Sequence, residues 1–265
     1  MSVFVFGILG LIIGSFLNVV VLRRGARALE GRSACMSCGK LLAWYDMIPV
    51  FSWLMLFGRC RHCGSRISVQ YPLVEGSTAV LFALIGGAPH ASFFYQTVAC
   101  IIIALLVAIA AYDFLHTIIP DAWAYSFAGL ALVCGLVFGL VPGTWYLELI
   151  AGPIAALPLF LLWLVSAGKW MGLGDAKLAL GIGWLLGPAV GIVAIMSSFI
   201  LGTLILIPWM LAGRLITHMQ GGRSAATGIT MKSEVPFGPF LILSCLLFWL
   251  SQLYGVPLTL GLFGL

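Results

Sequence analysis

Charge is what this chain has least of. Of 265 residues only 8% are Asp, Glu, Lys or Arg, and the acidic ones number eight. Together with 62% hydrophobic residues and a mean hydropathy of +1.16, that shortage excludes an ordinary soluble domain, in which about a quarter of residues are charged. It describes a polytopic membrane protein. The net charge of +5 gives no ground for a nucleic-acid partner, because the positive charge is gathered in one place. Eight of the thirteen basic residues (Arg23, Arg24, Arg27, Arg32, Lys40, Arg59, Arg61 and Arg66) lie between the first two apolar runs. The positive-inside rule makes that segment a cytoplasmic loop.

A second absence concerns the N-terminus. No basic stretch precedes the first apolar run, Val3 to Leu22, and Arg23-Arg24 follows it, so the run reads as a retained helix with its N-terminus outside and not as a cleaved signal. With spans taken as runs of about 17 to 25 residues, the further candidates are Pro72 to Gly87, Tyr95 to Tyr112, Trp123 to Val141, Tyr146 to Ser166, a short piece from Ala176 to Leu186, Ala189 to Leu211, and Phe237 to Leu253. The expected fold is all-α, a membrane bundle of about eight transmembrane helices with a small cytoplasmic loop domain. Its expected parts are a first helix (1–22), the basic loop (23–71) and a helical domain (72–265). Alternating spans put the five remaining basic residues on the side of the loop, while the outer turns around Gly86 to Ser92, Val141 to Tyr146 and Gly187-Pro188 hold no Lys or Arg. Gly221 to Ser233 reads as a polar cytoplasmic linker.

Cysteine is sparse except where it is paired. Cys100, Cys134 and Cys245 lie singly inside apolar runs and read as small packing residues. The other four form Cys35-Met36-Ser37-Cys38 and Cys60-Arg61-His62-Cys63, twenty-one residues apart, each pair followed by a glycine (Gly39, Gly64). Two residues between thiolates let both sulfurs of a tight turn face one tetrahedral ion, and the glycine is expected to admit the backbone close to the sulfur. The expectation is a structural Zn²⁺ held by Cys35, Cys38, Cys60 and Cys63; a redox pair and unligated thiols are the alternatives, and a reducing cytoplasm argues against disulfides. A closed four-sulfur shell leaves no open coordination position, so the metal would fold the loop and not hydrolyse anything. His62 is then a bystander.

With so few acids, two stand out. Asp113 ends an apolar run just before Pro120, and Asp175 sits in Gly172-Leu173-Gly174-Asp175-Ala176-Lys177 at the opening of the short run. Carboxylates at a membrane edge are costly and mark sites by default, and the topology puts both on one face of the bilayer. Helix capping is the competing account for Asp175 and the preferred one for Asp121. If the Asp113 and Asp175 carboxyl groups meet, they share a proton and titrate as a pair. One then activates water as base while the other acts as acid, which is hydrolysis without metal or serine.

The ordered motifs carry a resemblance. Gly14-Ser15-Phe16-Leu17-Asn18-Val19-Val20, the four-cysteine loop with Trp44-Tyr45-Asp46-Met47-Ile48-Pro49, Tyr71-Pro72-Leu73-Val74-Glu75, Asp113 with Ile119-Pro120-Asp121, Gly-x-Gly-Asp175 with Lys177, and Pro236-Phe237-Gly238-Pro239-Phe240 make the chain similar to the bacterial type IV prepilin peptidases. The resemblance implies an inner-membrane aspartic protease that cuts the short basic leader from prepilins or pseudopilins at the cytoplasmic face, with Asp113 and Asp175 catalytic and the four cysteines on zinc. It also implies N-methylation of the new N-terminus with S-adenosylmethionine. One departure is Leu115, where relatives often carry a second acid, which removes a rival carboxylate.

No Gly-rich cofactor fingerprint follows a predicted strand, so the methyl-donor site is not located. Asp46 and Glu75 are the acids nearest the loop that could receive a cationic amine or cofactor; solvated loop charge and helix-end capping are the alternatives. The basic loop is expected to meet anionic lipid head groups, and the prepilin helix to pack on a small-residue stretch at Gly181, Gly183 and Gly187. Two other classes remain: a transporter with Asp113 and Asp175 as coupling carboxylates, and a non-catalytic secretion-system assembly factor.

Overall fold

The computed structural model describes residues 2–24, 31–89, 91–138, 145–219 and 236–256, the last eight residues of 145–219 by backbone alone. The linker from Gly221 to Ser233, Arg27 and most of the turn before Tyr146 lie outside the described residues. Among the described residues the regular structure is helical: α1 (Ser2–Arg23), a 3₁₀ turn (Trp44–Met47), α2 (Phe51–Met55), α3 (Gln70–Gly86), α4 (Phe93–His116), α5 (Asp121–Phe138), α6 (Trp145–Ser166), α7 (Leu173–Leu186), α8 (Pro188–Met219) and α9 (Gly238–Leu253). The chain divides into two compact units, Met1–Tyr112 and Asp113–Leu265.

Each expected apolar run is one helix, but among the described residues five, and not eight, are long and apolar enough to cross a bilayer: α1, α4, α5, α6 and α8 up to Leu211. Helices α3, α7 and α9 have 17, 14 and 16 residues, and at 1.5 Å per residue α7 covers only about 21 Å of a core about 30 Å thick. The reason is local. The helical path is interrupted at Gly172, an extended N-cap, and at Gly187, with φ of 81°.

In the first unit, α1 and α3 run antiparallel along a seam of small residues. A Cβ on Gly10 would stand 2.6 Å from the Ala79 Cα, and one on Gly14 2.7 Å from the Glu75 Cα. One turn further along α1, the Asn18 side-chain amide donates to the Tyr71 carbonyl at 3.2 Å. The pairing 10 with 79, 14 with 75 and 18 with 71 sets the register. Between helices in lipid there is no hydrophobic drive to associate, so close backbone approach through glycine supplies the dispersion contact that does hold them.

In the second unit α7 is the hub, packed against α5, α6, α8 and α9. Its glycines are consumed there. A Cβ on Gly181 would collide with the Phe127 ring of α5, and one on Gly183 would lie 2.5 Å from the Ala151 carbonyl of α6. Two of the three residues expected to receive a substrate helix, Gly181 and Gly183, are therefore internal packing, while a Cβ on Gly187 would meet nothing within 4 Å. Helix α9 is tied to α8 by the Ser244 hydroxyl, which donates to the Ala194 carbonyl at 2.6 Å. Large apolar side chains such as Phe4, Ile12, Leu161, Val165, Ile200 and Leu204 face outward, a surface suited to lipid.

Candidate active site and metal centre

The candidate metal centre is built from two copies of one turn. In the first, the Gly39 N–H donates to the Cys35 carbonyl at 2.9 Å and the Cys35 N–H to the Lys40 carbonyl at 2.9 Å; in the second, Gly64 donates to Cys60 at 2.9 Å and Cys60 to Ser65 at 2.8 Å. Bridges Ala34 to Leu41 and Arg59 to Arg66 close each turn. The glycines act differently from expectation. A Cβ at Gly39 or Gly64 would meet nothing within 4 Å, but both have positive φ, 70° and 67°, which a side-chain-bearing residue adopts only with strain.

The four sulfurs converge to within 4.8 Å of one another. Cys35 Sγ and Cys63 Sγ are 3.8 Å apart, and a tetrahedral ion with metal–sulfur bonds of about 2.3 Å sets its sulfurs about 3.8 Å apart. The donor set suits a metal for a second reason. Backbone N–H groups of Cys38 and Ser37, with the Ser65 hydroxyl, pull the Cys35 thiol down to about 6, and Ser65 draws Cys63 down as well. Cys38 behaves oppositely: the Lys40 N–H favours its thiolate, but its hydrogen bond with Cys35 and its burial outweigh this and push it up to about 11. Thiolate is the ligating form. His62 is exposed and outside the cluster. Ser65, 3.1 Å from Cys63 Sγ and 3.8 Å from Cys35 Sγ, was not foreseen, although its place just after the second knuckle glycine is visible in the sequence.

The two aspartates are brought near one another by another route. Asp113 lies one turn before the end of α4 and is 4% exposed; Asp175 lies in the first turn of α7 and is 8% exposed. The Gly238 N–H at the start of α9 donates to Asp113 Oδ2 at 3.1 Å. The carboxylate of Asp175 accepts from the N–H of Gly172, the N-cap of its own helix. That is the backward contact of a capping box, a role that leaves the burial of Asp175 unexplained. The segments that carry the two carboxylates converge on Ile119: a Cβ on Gly174, next to Asp175, would stand 2.9 Å from Ile119 Cβ, and one on Gly238, the donor to Asp113, 3.2 Å from Ile119 Cδ1 and 2.6 Å from Asp113 Oδ2. Asp175 lies within electrostatic reach of Asp113. Glycine at 174 and 238 is what gives this centre its room.

Around the pair, two sequence readings change. Asp121 heads α5, but the bond it makes is an ion pair with Lys177 Nζ at 2.6 Å, joining α5 to α7 beside the centre. Leu115 is 42% exposed, since two residues along a helix is the far side; an acid there would not rival Asp113. Gly238 was part of a motif without a role, and no local pattern announces a bond across 125 residues. Asp46, weighed as a cation receptor, is bound to Arg61 Nε at 2.9 Å.

The helices and the two centres define a polytopic helical membrane protein with a buried carboxylate pair and a four-thiol knuckle loop. Residues 8–87 match the bacterial peptidase A24 N-terminal domain and residues 100–207 the type IV leader peptidase family. Proteins named prepilin leader peptidase/N-methyltransferase are similar along most of the chain. The one from Xanthomonas campestris pv. campestris is 30% identical over 92% of this chain and 90% of its own length, and that of Pseudomonas aeruginosa 31% over 95% and 90%. That of Myxococcus xanthus is 35% identical over 80% of this chain, which spans 65% of that protein's length. No solved structure matches. The chain belongs to the type IV leader peptidase family.

Proposed function

We propose that this protein is a prepilin leader peptidase whose catalytic pair is Asp113 and Asp175. The observation that supports the reading is a convergence: two aspartates 62 positions apart in sequence are both buried, Asp175 is within electrostatic reach of Asp113, and Gly174 and Gly238 beside them both back onto Ile119. Two carboxyl groups so placed cannot both ionise cheaply and hold one proton between them. The ionised member takes a proton from a water molecule that attacks the scissile carbonyl; the protonated member polarises that carbonyl and then protonates the leaving amine. Gly238 N–H and Gly172 N–H each anchor one carboxylate, which keeps the pair oriented before substrate arrives.

In this reading Cys35, Cys38, Cys60 and Cys63 hold Zn²⁺ as a structural ion that organises the loop of residues 23–71, while residues 72–265 form the protease domain. The protein sits in the bacterial inner membrane with its N-terminus periplasmic and its centre at the cytoplasmic face. Its substrates are type IV prepilins or pseudopilins, whose basic leaders stay in the cytoplasm by the same charge rule. It also N-methylates the exposed residue with S-adenosylmethionine, and its basic loop lies against membrane lipids.

The test is incubation of the purified protein in lipid with a prepilin, with and without S-adenosylmethionine, reading product mass. Loss of the leader, with one added methyl when the donor is present, is the expected result. An intact prepilin with folded wild-type protein would reject the reading.

A further inference from the structure

The first unit contains a buried carboxylate that the peptidase chemistry does not use. Glu75, 7% exposed, lies in the second turn of α3 where α1 comes closest, Gly14 giving up its side chain to let α1 lie on the Glu75 backbone. Its Oε2 accepts the Val50 N–H at 2.7 Å, and the Ser15 hydroxyl bonds the same carboxylate. Helix capping does not account for it, because Glu75 is past the first turn and its donors come from elsewhere in the chain. Among the described residues no Lys, Arg or His forms an ion pair with it.

One turn along the same seam stands Asn18, 2% exposed. Its Nδ2 is spent on the Tyr71 carbonyl, which assigns the amide's orientation, and its Oδ1 is buried with no hydrogen-bond partner. An unpaired buried acceptor costs about 1–3 kcal/mol, and an unpaired buried carboxylate costs more. A third cost lies beside them. Val50 has φ of 60° and ψ of −49°, with the Phe51 N–H returning to the Pro49 carbonyl at 2.6 Å. That is a γ-turn of positive φ, and in a β-branched residue it stores about 1–3 kcal/mol of strain. The strained turn is what aims the Val50 N–H at Glu75.

Two buried acceptors in one seam, one of them a carboxylate with no ion pair among the described residues, suit a ligand that is positive and rich in N–H. A hard divalent ion is a poor fit, since calcium and magnesium take six or more oxygens. An ammonium brings one charge and three donors. We propose that Glu75 and Asn18 bind a primary ammonium group, and that its source is the α-ammonium exposed on the substrate by leader cleavage. This rests on the peptidase reading above. The product's new N-terminus heads an apolar segment, and the site lies between α1 and α3, whose outer faces carry exposed Phe16 and Leu73, so cation and apolar tail are accommodated together. Held there, the ammonium gives a proton to the Glu75 carboxylate and becomes a neutral amine, the form that can accept a methyl group. Asp46 is not a competitor, being paired with Arg61.

The experiment measures binding of a synthetic product peptide, labelled at its C-terminus, to full-length protein in lipid nanodiscs. The peptide is compared with a free and with an acetylated N-terminus, and S-adenosylhomocysteine with its N-acetyl form, on wild type, Glu75→Gln and Asn18→Leu. The free peptide is expected to bind wild type about ten- to a hundredfold more tightly than the acetylated one. Glu75→Gln should bring the two within about twofold, while prepilin cleavage continues. Asn18→Leu, which removes the unpaired acceptor and with it the donor to the Tyr71 carbonyl, should lower the preference while helicity by circular dichroism is unchanged, and it carries the test if Glu75→Gln does not fold. A preference seen only with S-adenosylhomocysteine, and lost in Glu75→Gln, keeps the ammonium site but moves its source to the methyl donor. No amine preference in wild type, or one undiminished in both variants, overturns the site. Loss of cleavage in folded Glu75→Gln with an unchanged amine preference also overturns it, assigning Glu75 to the leader. Failure of wild type to cleave prepilin at all, with the amine preference present and sensitive to Glu75, sinks the peptidase reading and leaves the site standing.

Discussion

The knuckle loop and the carboxylate pair are assembled on opposite principles. Each knuckle is complete within about six residues: two sulfurs, a glycine of positive φ and two backbone bonds, so its geometry is local and repeats. The carboxylate pair draws on the ends of α4, α7 and α9 and on the connection holding Ile119, and no part of it is competent alone. Local construction tolerates changes elsewhere in the chain; distributed construction makes the pair sensitive to packing at positions that carry no chemistry.

Substitutions can break that contrast or sharpen it. The largest effect should come from Asp113→Asn or Asp175→Asn, each lowering prepilin cleavage by about 10² to 10⁴-fold with unchanged helicity by circular dichroism. Gly238→Ala comes next. Its Cβ would stand 2.6 Å from Asp113 Oδ2, so the carboxylate must turn away, and displacement of about 1 Å costs about a hundredfold in rate; an unaltered rate would show that the pair is less tightly set than its contacts imply. Cys60→Ser should abolish bound zinc by elemental analysis and open the loop to proteolysis, while cleavage falls less than about tenfold, because Ile119, Gly172, Gly174 and Gly238, which surround the dyad, lie in the second unit and not in the loop. Lys177→Met should do least. It removes an ion pair with a largely exposed Asp121, worth about 0–1 kcal/mol, and the thermal midpoint should move by no more than a few degrees.

The same contrast explains what could be read before the structure. Apolar runs announce helices because length and composition are local, and each of the eight runs is a helix. The convergence of Cys35, Cys38, Cys60 and Cys63 was legible from their spacing, although the glycines serve φ and not proximity. Asp113 and Asp175 were legible as rare acids at polar breaks. What escaped depended on partners far along the chain: Gly238 on Asp113, Lys177 on Asp121, Ser15 and Val50 on Glu75. The small residues at Gly181 and Gly183 were misassigned to a substrate because a sequence shows that a face is small without showing what already fills it.

The central claim is that Asp113 and Asp175 act as one centre. Its most direct test is a double-mutant cycle on prepilin cleavage, with wild type, Asp113→Asn, Asp175→Asn and the double variant measured in the same lipid. Groups that act as a unit are non-additive. The double variant is predicted to be no slower, within error, than the slower single variant. Losses that multiply, or cleavage that persists in either single variant, would contradict a shared centre.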